Sequence, residues 1–265
     1  MLVLLGVTGA VAGIIAGMLG VGGGIILVPA LYYLFSTLGF DSANLMQICL
    51  ATSLSTIVFT SMRSVLAHHR KGAVDWQILR TWAPGAAIGS AIATVFATGL
   101  RGEVLMLIFG VLGLAVGLYL AFSRPEWRLG DALPTGPARG ICSVILGFLS
   151  VLMGIGGGSF GVPMMSLYGQ PIHRAVATAS GFGVVIAVPS TIGFLVSGQA
   201  VLLKPPATIG YVNLPAFGVI VVATLLTTPL GVRLAHAMNP KPLRLAFAIF
   251  IVFIAGNMLR KALAG

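Results

Sequence analysis

Apolar residues run along this chain in blocks of membrane length, separated by short polar or glycine-rich breaks. Between those breaks the pattern predicts helical segments near 2–20, 25–38, 43–66, 76–98 and 103–122, then 136–154, 159–169, 173–197, 209–237 and 241–260. Runs such as Leu2 to Gly20, Gly102 to Phe122 and Leu243 to Leu259 match the roughly 20 residues needed to cross a hydrocarbon layer about 30 Å thick. They lack the polar–apolar alternation of barrel strands, and a chain in lipid must pair its own backbone groups. The expected fold class is therefore an all-α integral membrane protein.

The densest polar break, Ser123 to Pro137, carries Arg124, Glu126, Arg128 and Asp131 among prolines and divides the segments five and five. It predicts a first membrane repeat at 1–122, a linker at 123–135 and a second repeat at 136–265. The halves resemble each other. Gly20-Val21-Gly22-Gly23-Gly24 with Val28-Pro29 recurs as Gly154-Ile155-Gly156-Gly157-Gly158 with Val162-Pro163, and Gly13 recurs as Gly147 at the same spacing. Ala51-Thr52 recurs as Ala177-Thr178 at a shorter spacing, because the second loop lacks residues matching part of Thr37 to Asn44.

Composition sharpens the assignment to lipid. Hydrophobic residues make up 58% of the chain and charged residues 8%, against about 25% charged in an ordinary soluble domain. The net charge of +10 would suggest nucleic acid in a soluble protein, but these Lys and Arg lie thinly between hydrophobic runs. Positive-inside topology accounts for them instead. If each glycine-broken pair is a hairpin, Arg63, Arg70, Lys71, Arg80, Arg124, Arg128, Arg139, Arg174, Arg233, Lys241 and Arg244 share one face, leaving Arg101, Lys204, Arg260 and Lys261 on the other. Counting each pair as one crossing instead leaves Arg101, Arg174, Arg233, Lys241 and Arg244 as the minority face, with the other Lys and Arg opposite. The hairpin count puts both termini outside and makes the two repeats inverted, as in secondary transporters whose helices break near the midplane. The first apolar stretch lacks a basic leader and runs on through the glycines, so it reads as structure rather than a signal peptide. Cys49 and Cys142 lie in apolar segments without ligand spacing and read as packing residues.

The chemistry-bearing candidates follow from the breaks. A helix that restarts after consecutive glycines offers unpaired N–H groups and a partial positive charge, and glycine lets successive donors converge on an anion. Gly22, Gly23, Gly24, Gly156, Gly157, Gly158 and Ser159 are thus candidate substrate-binding residues. A positive φ is expected at the central pair, Gly23 and Gly157. Thr52, Ser53, Thr178 and Ser180 add hydroxyls at membrane depth, with Thr52 and Thr178 equivalent between repeats. Against this stands small-residue packing between helices for the glycines and bonding to the preceding turn for the hydroxyls. Arg63 and His68 are candidates for gating or anion attraction, set against snorkelling to the interface. A dinucleotide-binding reading of the glycines fails for want of a preceding strand. A serine-nucleophile reading of Ser159 fails for want of a placed base, so no enzyme activity is expected. No metal or cofactor is expected either.

Both glycine motifs with their Val-Pro pairs, Ala51-Thr52-Ser53, the stretch Ala67-His68-His69-Arg70-Lys71-Gly72-Ala73-Val74-Asp75-Trp76, and Ala177-Thr178-Ala179-Ser180 together resemble the TauE/SafE family of membrane permeases. The resemblance covers nearly the whole chain. It implies a multi-pass protein of a bacterial inner membrane that exports sulfite, sulfoacetate or related organosulfonates. The implied partners are a small anionic substrate and the lipid bilayer, not nucleic acid. A coupling proton or ion and a homodimer stay open, as do an anion channel and a non-transporting membrane scaffold.

Overall fold

The computed structural model describes residues 2–19, 23–40, 42–123, 127–200, 204–237 and 240–264. Ten α-helices account for nearly all of them: α1 Leu2–Leu19, α2 Gly24–Thr37, α3 Leu45–His69, α4 Trp76–Gly99, α5 Gly102–Phe122, α6 Gly136–Leu152, α7 Gly158–Leu167, α8 Ile172–Ser197, α9 Leu214–Ala237 and α10 Pro240–Ala264. The protein is an all-α membrane protein. Helices α3, α5, α8 and the Leu214–Leu234 part of α9 are long and apolar enough to cross a bilayer, while α1, α2 and α6 are shorter apolar helices.

The expected segments agree with these helices apart from the ninth, which starts five residues later than the apolar pattern suggests. Residues 208–213 instead form a two-strand hairpin, β1 Thr208–Ile209 and β2 Val212–Asn213, turned at Gly210 with φ 60°. The cause is local. Asn213 Oδ1 accepts the Ala216 N–H at 3.1 Å, and its Nδ2 donates to the Pro206 carbonyl and Thr208 Oγ1, both at 3.0 Å. An asparagine that caps the helix behind it and ties down the loop before it fixes the boundary.

The surface is built for lipid and the interior is mixed. Val95, Leu226 and Phe253 stand 73%, 72% and 69% exposed, which only an apolar solvent tolerates across so many helices. Helix α3, by contrast, is enclosed over most of its length, and it buries Gln47, Thr52, Ser53, Ser55, Thr56, Thr60, Ser61, Ser64 and His68. Many of those hydroxyls bond the turn before them, as Ser55 does to the Ala51 carbonyl and Thr60 to the Thr56 carbonyl. Such pairing lets Ser and Thr sit in a dry core.

Helix packing keeps its pattern when the first five helices are exchanged for the last five. Helix α1 packs on α9 as α6 packs on α4; α3 meets α9 as α8 meets α4; α2 lies on α3 as α7 lies on α8. Helices α3 and α8 pack on each other, and so do α5 and α10. Each half therefore closes against the other.

The glycine breaks reverse the chain. Gly23 lies against Ala12, with the Ala12 carbonyl oxygen 3.0 Å from where a Cβ would stand. A continuing helix would carry Gly23 about 16 Å beyond Ala12 at 1.5 Å per residue, so α2 folds back beside α1. A shallow apolar groove confirms the antiparallel course, since Leu4 and Thr8 of α1 line it together with Leu34 and Thr37 of α2.

Candidate functional site

Each glycine motif lies between two helices, α1 and α2 for the first and α6 and α7 for the second. At the second one, Gly154 takes φ 61°, its N–H bonds the Val151 carbonyl at 2.8 Å, and the Ile155 N–H bonds the Ser150 carbonyl at 2.9 Å. That paired pattern around a left-handed residue is a Schellman stop, and glycine enters it without the Cβ penalty. Helix α7 then begins at Gly158, with the Gly157 carbonyl accepting the Gly161 N–H at 2.7 Å. At the first motif, Gly23 precedes α2 with φ 79°, and its carbonyl accepts the N–H groups of Ile26 and Leu27 at 3.1 and 3.2 Å. Gly22 lies outside the described residues.

The expectation of a positive φ at both central glycines holds for Gly23 alone. Gly157 sits at φ −60° and ψ −7°, a conformation open to any residue. Glycine is required there for another reason: a Cβ would run into Phe182 of α8, whose carbonyl carbon lies 3.2 Å from that position. Gly24 packs still more closely. Its Cβ would overlap the Gly154 carbonyl oxygen and come 2.8 Å from Ile155 Cα, so the start of α2 lies directly on the second break. Ser53 in α3 seals this meeting point by donating to the Gly154 carbonyl at 2.8 Å. Gly156, Gly157, Gly158 and Ser159 are all buried.

The repeat-equivalent threonines occupy equivalent posts. Thr178, fully buried in α8, accepts the Asp75 N–H at 2.9 Å, and Thr52, fully buried in α3, accepts the Asn213 N–H at 3.0 Å. Asp75 and Asn213 are the residues just before α4 and α9. Each hydroxyl thus receives the helix entry of the opposite half. Ser180 bonds its own helix, donating to the Ala177 carbonyl at 2.6 Å. Ser159 differs from Thr52, Ser53, Thr178 and Ser180: its Oγ is buried, the residue is 4% exposed, and the hydroxyl has no hydrogen-bond partner in the protein. It stands in the first turn of α7, among N–H groups that have no carbonyl inside the helix.

Arg63 and His68 are not brought together. Arg63 is exposed on α3, whereas His68 is 1% exposed and turned into the bundle. The cross-links through Asp75 and Asn213 are the parts that the residue pattern did not single out. Asp75 directly before an apolar run carries a helix-start signal, and its Oδ1 accepts the Gln77 and Ile78 N–H groups at 3.1 Å. Which distant helix would receive its own N–H depends on packing alone.

Those two threonine contacts give a stability prediction. Thr52→Val and Thr178→Val keep the side-chain shape but leave an N–H without an acceptor, buried at Asn213 and part-buried at Asp75, a loss of about 1–3 kcal/mol at the buried one and less at the other. Thermal unfolding in detergent should show both variants less stable than wild type, with Ser55→Ala, whose hydroxyl only bonds its own helix, closer to wild type. Equal stability of all four proteins would contradict the cross-link role.

Chemically, the meeting of two glycine breaks supplies backbone donors, a hydroxyl without a partner and no net charge, a combination suited to a small anion. Comparison with known sequences identifies relatives among membrane transporters. Residues 5–258 match the family profile described as Sulfite exporter TauE/SafE. A probable membrane transporter protein of Haemophilus influenzae is 32% identical over 255 residues, covering 96% of each chain. One from Methanocaldococcus jannaschii is 26% identical over 92% of this chain and 90% of its own length, and one from Bacillus subtilis is 29% identical over 78% and 85%. No solved structure matches the chain.

Proposed function

Since the chain belongs to the sulfite exporter TauE/SafE family, we propose that this membrane transporter is a secondary carrier exporting sulfite, sulfoacetate or a related organosulfonate across a bacterial inner membrane. The observation that carries the substrate class is the start of α2 seated on the second glycine break, with the unpartnered Ser159 hydroxyl in the first turn of α7. N–H and O–H donors replace the hydration of an oxyanion and offer a cation little. Gly22, Gly23, Gly24, Gly156, Gly157, Gly158 and Ser159 form the proposed binding region. Thr52, Ser53, Thr178 and Ser180 support it, since their hydroxyls are already engaged with backbone groups.

Alternating access would come from two inverted repeats, 1–122 and 136–265, joined by 123–135 and related by an axis in the membrane plane. The exchange-symmetric helix packing and the reversed glycine breaks support that arrangement. Thermal unfolding of the purified protein with added anions tests the substrate class. Sulfite or methanesulfonate should raise the melting temperature in a saturable way, because a ligand that binds only the folded state stabilises it, while choline at equal ionic strength should not. Stabilisation by choline and not by either anion would overturn the substrate class.

A further inference from the structure

The two helix entries that cross between halves differ in charge. Asn213 before α9 is neutral, whereas Asp75 before α4 carries a charge, and its Oδ2 accepts from Arg174 in the first turn of α8 at 2.9 Å. The Asp75 side chain is 20% exposed and that of Arg174 53%. The other ion pairs among the described residues are more open: Arg101 with Glu103 at 79% and 54%, and Arg128 with Asp131 at 59% and 98%. Asp75 therefore joins three things at once. Oδ1 holds the first turn of α4, the backbone N–H holds Thr178 of α8, and Oδ2 holds the Arg174 guanidinium.

We propose that Arg174 is an anion-capture residue, held by Asp75 at rest and transferred to an incoming sulfite or sulfonate, so that arrival of the anion unlatches α4 from α8. A guanidinium presents paired donors that match two oxygens of a carboxylate or of a sulfur oxyanion equally well, so one can displace the other. The guanidinium is exposed enough for an anion to reach it, and the carboxylate it leaves keeps its cap bonds to α4. Exposed Arg70 and Lys71 lie in the loop that leads to Asp75, and such a basic stretch raises the local anion concentration. Opposite-half contacts at α9 lack this exchangeable charge, so the two ends of the molecule would respond differently to the same anion.

The identity of the anion rests on the transport proposal, and the latch is tested apart from it. Hydrogen exchange of the full chain in lipid nanodiscs is read by mass spectrometry over residues 75–80 and 172–178, with sodium sulfite or sodium methanesulfonate against sodium chloride at equal ionic strength. In wild type, either sulfur anion should speed exchange of these segments several-fold and leave α5 unchanged. Asp75→Asn retains an oxygen to cap α4 and an N–H for Thr178, and makes the position chemically like Asn213. It should exchange fast in chloride, with no further response to anion. Arg174→Gln should lose the anion response, while Glu103→Gln should behave as wild type.

Wild-type segments unmoved by both sulfur anions, or Asp75→Asn as slow as wild type, would overturn the latch. Faster exchange spread equally over all helices of Asp75→Asn would mark unfolding, and the wild-type anion response then decides alone. Sulfite flux measured in liposomes separates the two proposals. Flux without anion-dependent exchange removes the latch; anion-dependent exchange without flux removes the transport reading.

Discussion

Gly24→Ala is expected to lower the stability of the protein sharply, although alanine is the mildest change available. The added Cβ would occupy the space of the Gly154 carbonyl oxygen, which Ser53 already holds in place. Neither backbone can yield without opening the contact between the two breaks. Overpacking of a close-fitted interior typically costs about 1–3 kcal/mol, and more where backbone must move. Gly218→Ala provides the internal control, because nothing lies within 4 Å of its added methyl and alanine favours helix over glycine. Folded yield and melting temperature should fall for the first variant and hold or rise for the second. Equal stability of the two would contradict the close seating of α2 on the second break.

Ser159→Ala should have the opposite profile: little change in stability and a large loss of anion affinity. Ser159 Oγ bonds no other group of the protein, so its removal breaks no intramolecular hydrogen bond and leaves no buried donor or acceptor unpaired. A hydrogen bond to a charged ligand is worth about 1.5–3 kcal/mol, so half-saturation of transport by sulfite should rise by roughly tenfold to a hundredfold. This variant separates binding from packing better than Gly157→Val. A valine at Gly157 would strike Phe182 whether or not an anion binds nearby, and loss of flux there would have two explanations. Unchanged half-saturation in Ser159→Ala would remove this hydroxyl from the site.

Much of the fold is legible in the chain because lipid imposes a simple rule. Runs of apolar residues must be helices when no water is present to pair the backbone, and the helices found follow those runs. The breaks at Gly20 to Gly24 and Gly154 to Gly158 were legible for the same reason, since consecutive glycines stop helices. What a given glycine does at a break was less so. Gly23 takes a left-handed φ, Gly154 ends α6 in a Schellman stop, and Gly157 admits the side chain of Phe182, three separate demands met by one residue type. The start of α9 escaped the apolar pattern because Tyr211 and Val212 are as apolar as a helix needs, while Gly210 and the Asn213 cap turn them into a hairpin.

The candidate site was legible in part. Repetition singles out Thr52 and Thr178, and they do hold matching posts, as acceptors for the Asn213 and Asp75 N–H groups. Spacing along one helix placed Arg63 and His68 together as candidates, yet five residues on a helix turn them to different faces, one exposed and one buried. The Asp75–Arg174 pair joins residues far apart in sequence, and no local pattern connects them.

Carrier-mediated movement of a sulfur oxyanion is tested most directly by the flux of labelled sulfite from liposomes that hold the purified protein at known density, against empty liposomes. Efflux through a carrier should saturate with sulfite concentration, respond to an imposed proton or ion gradient, and be inhibited by methanesulfonate but not by choline. Efflux no faster than from empty liposomes would contradict transport and leave a membrane scaffold, and a non-saturating electrogenic current would contradict a carrier and indicate an anion channel.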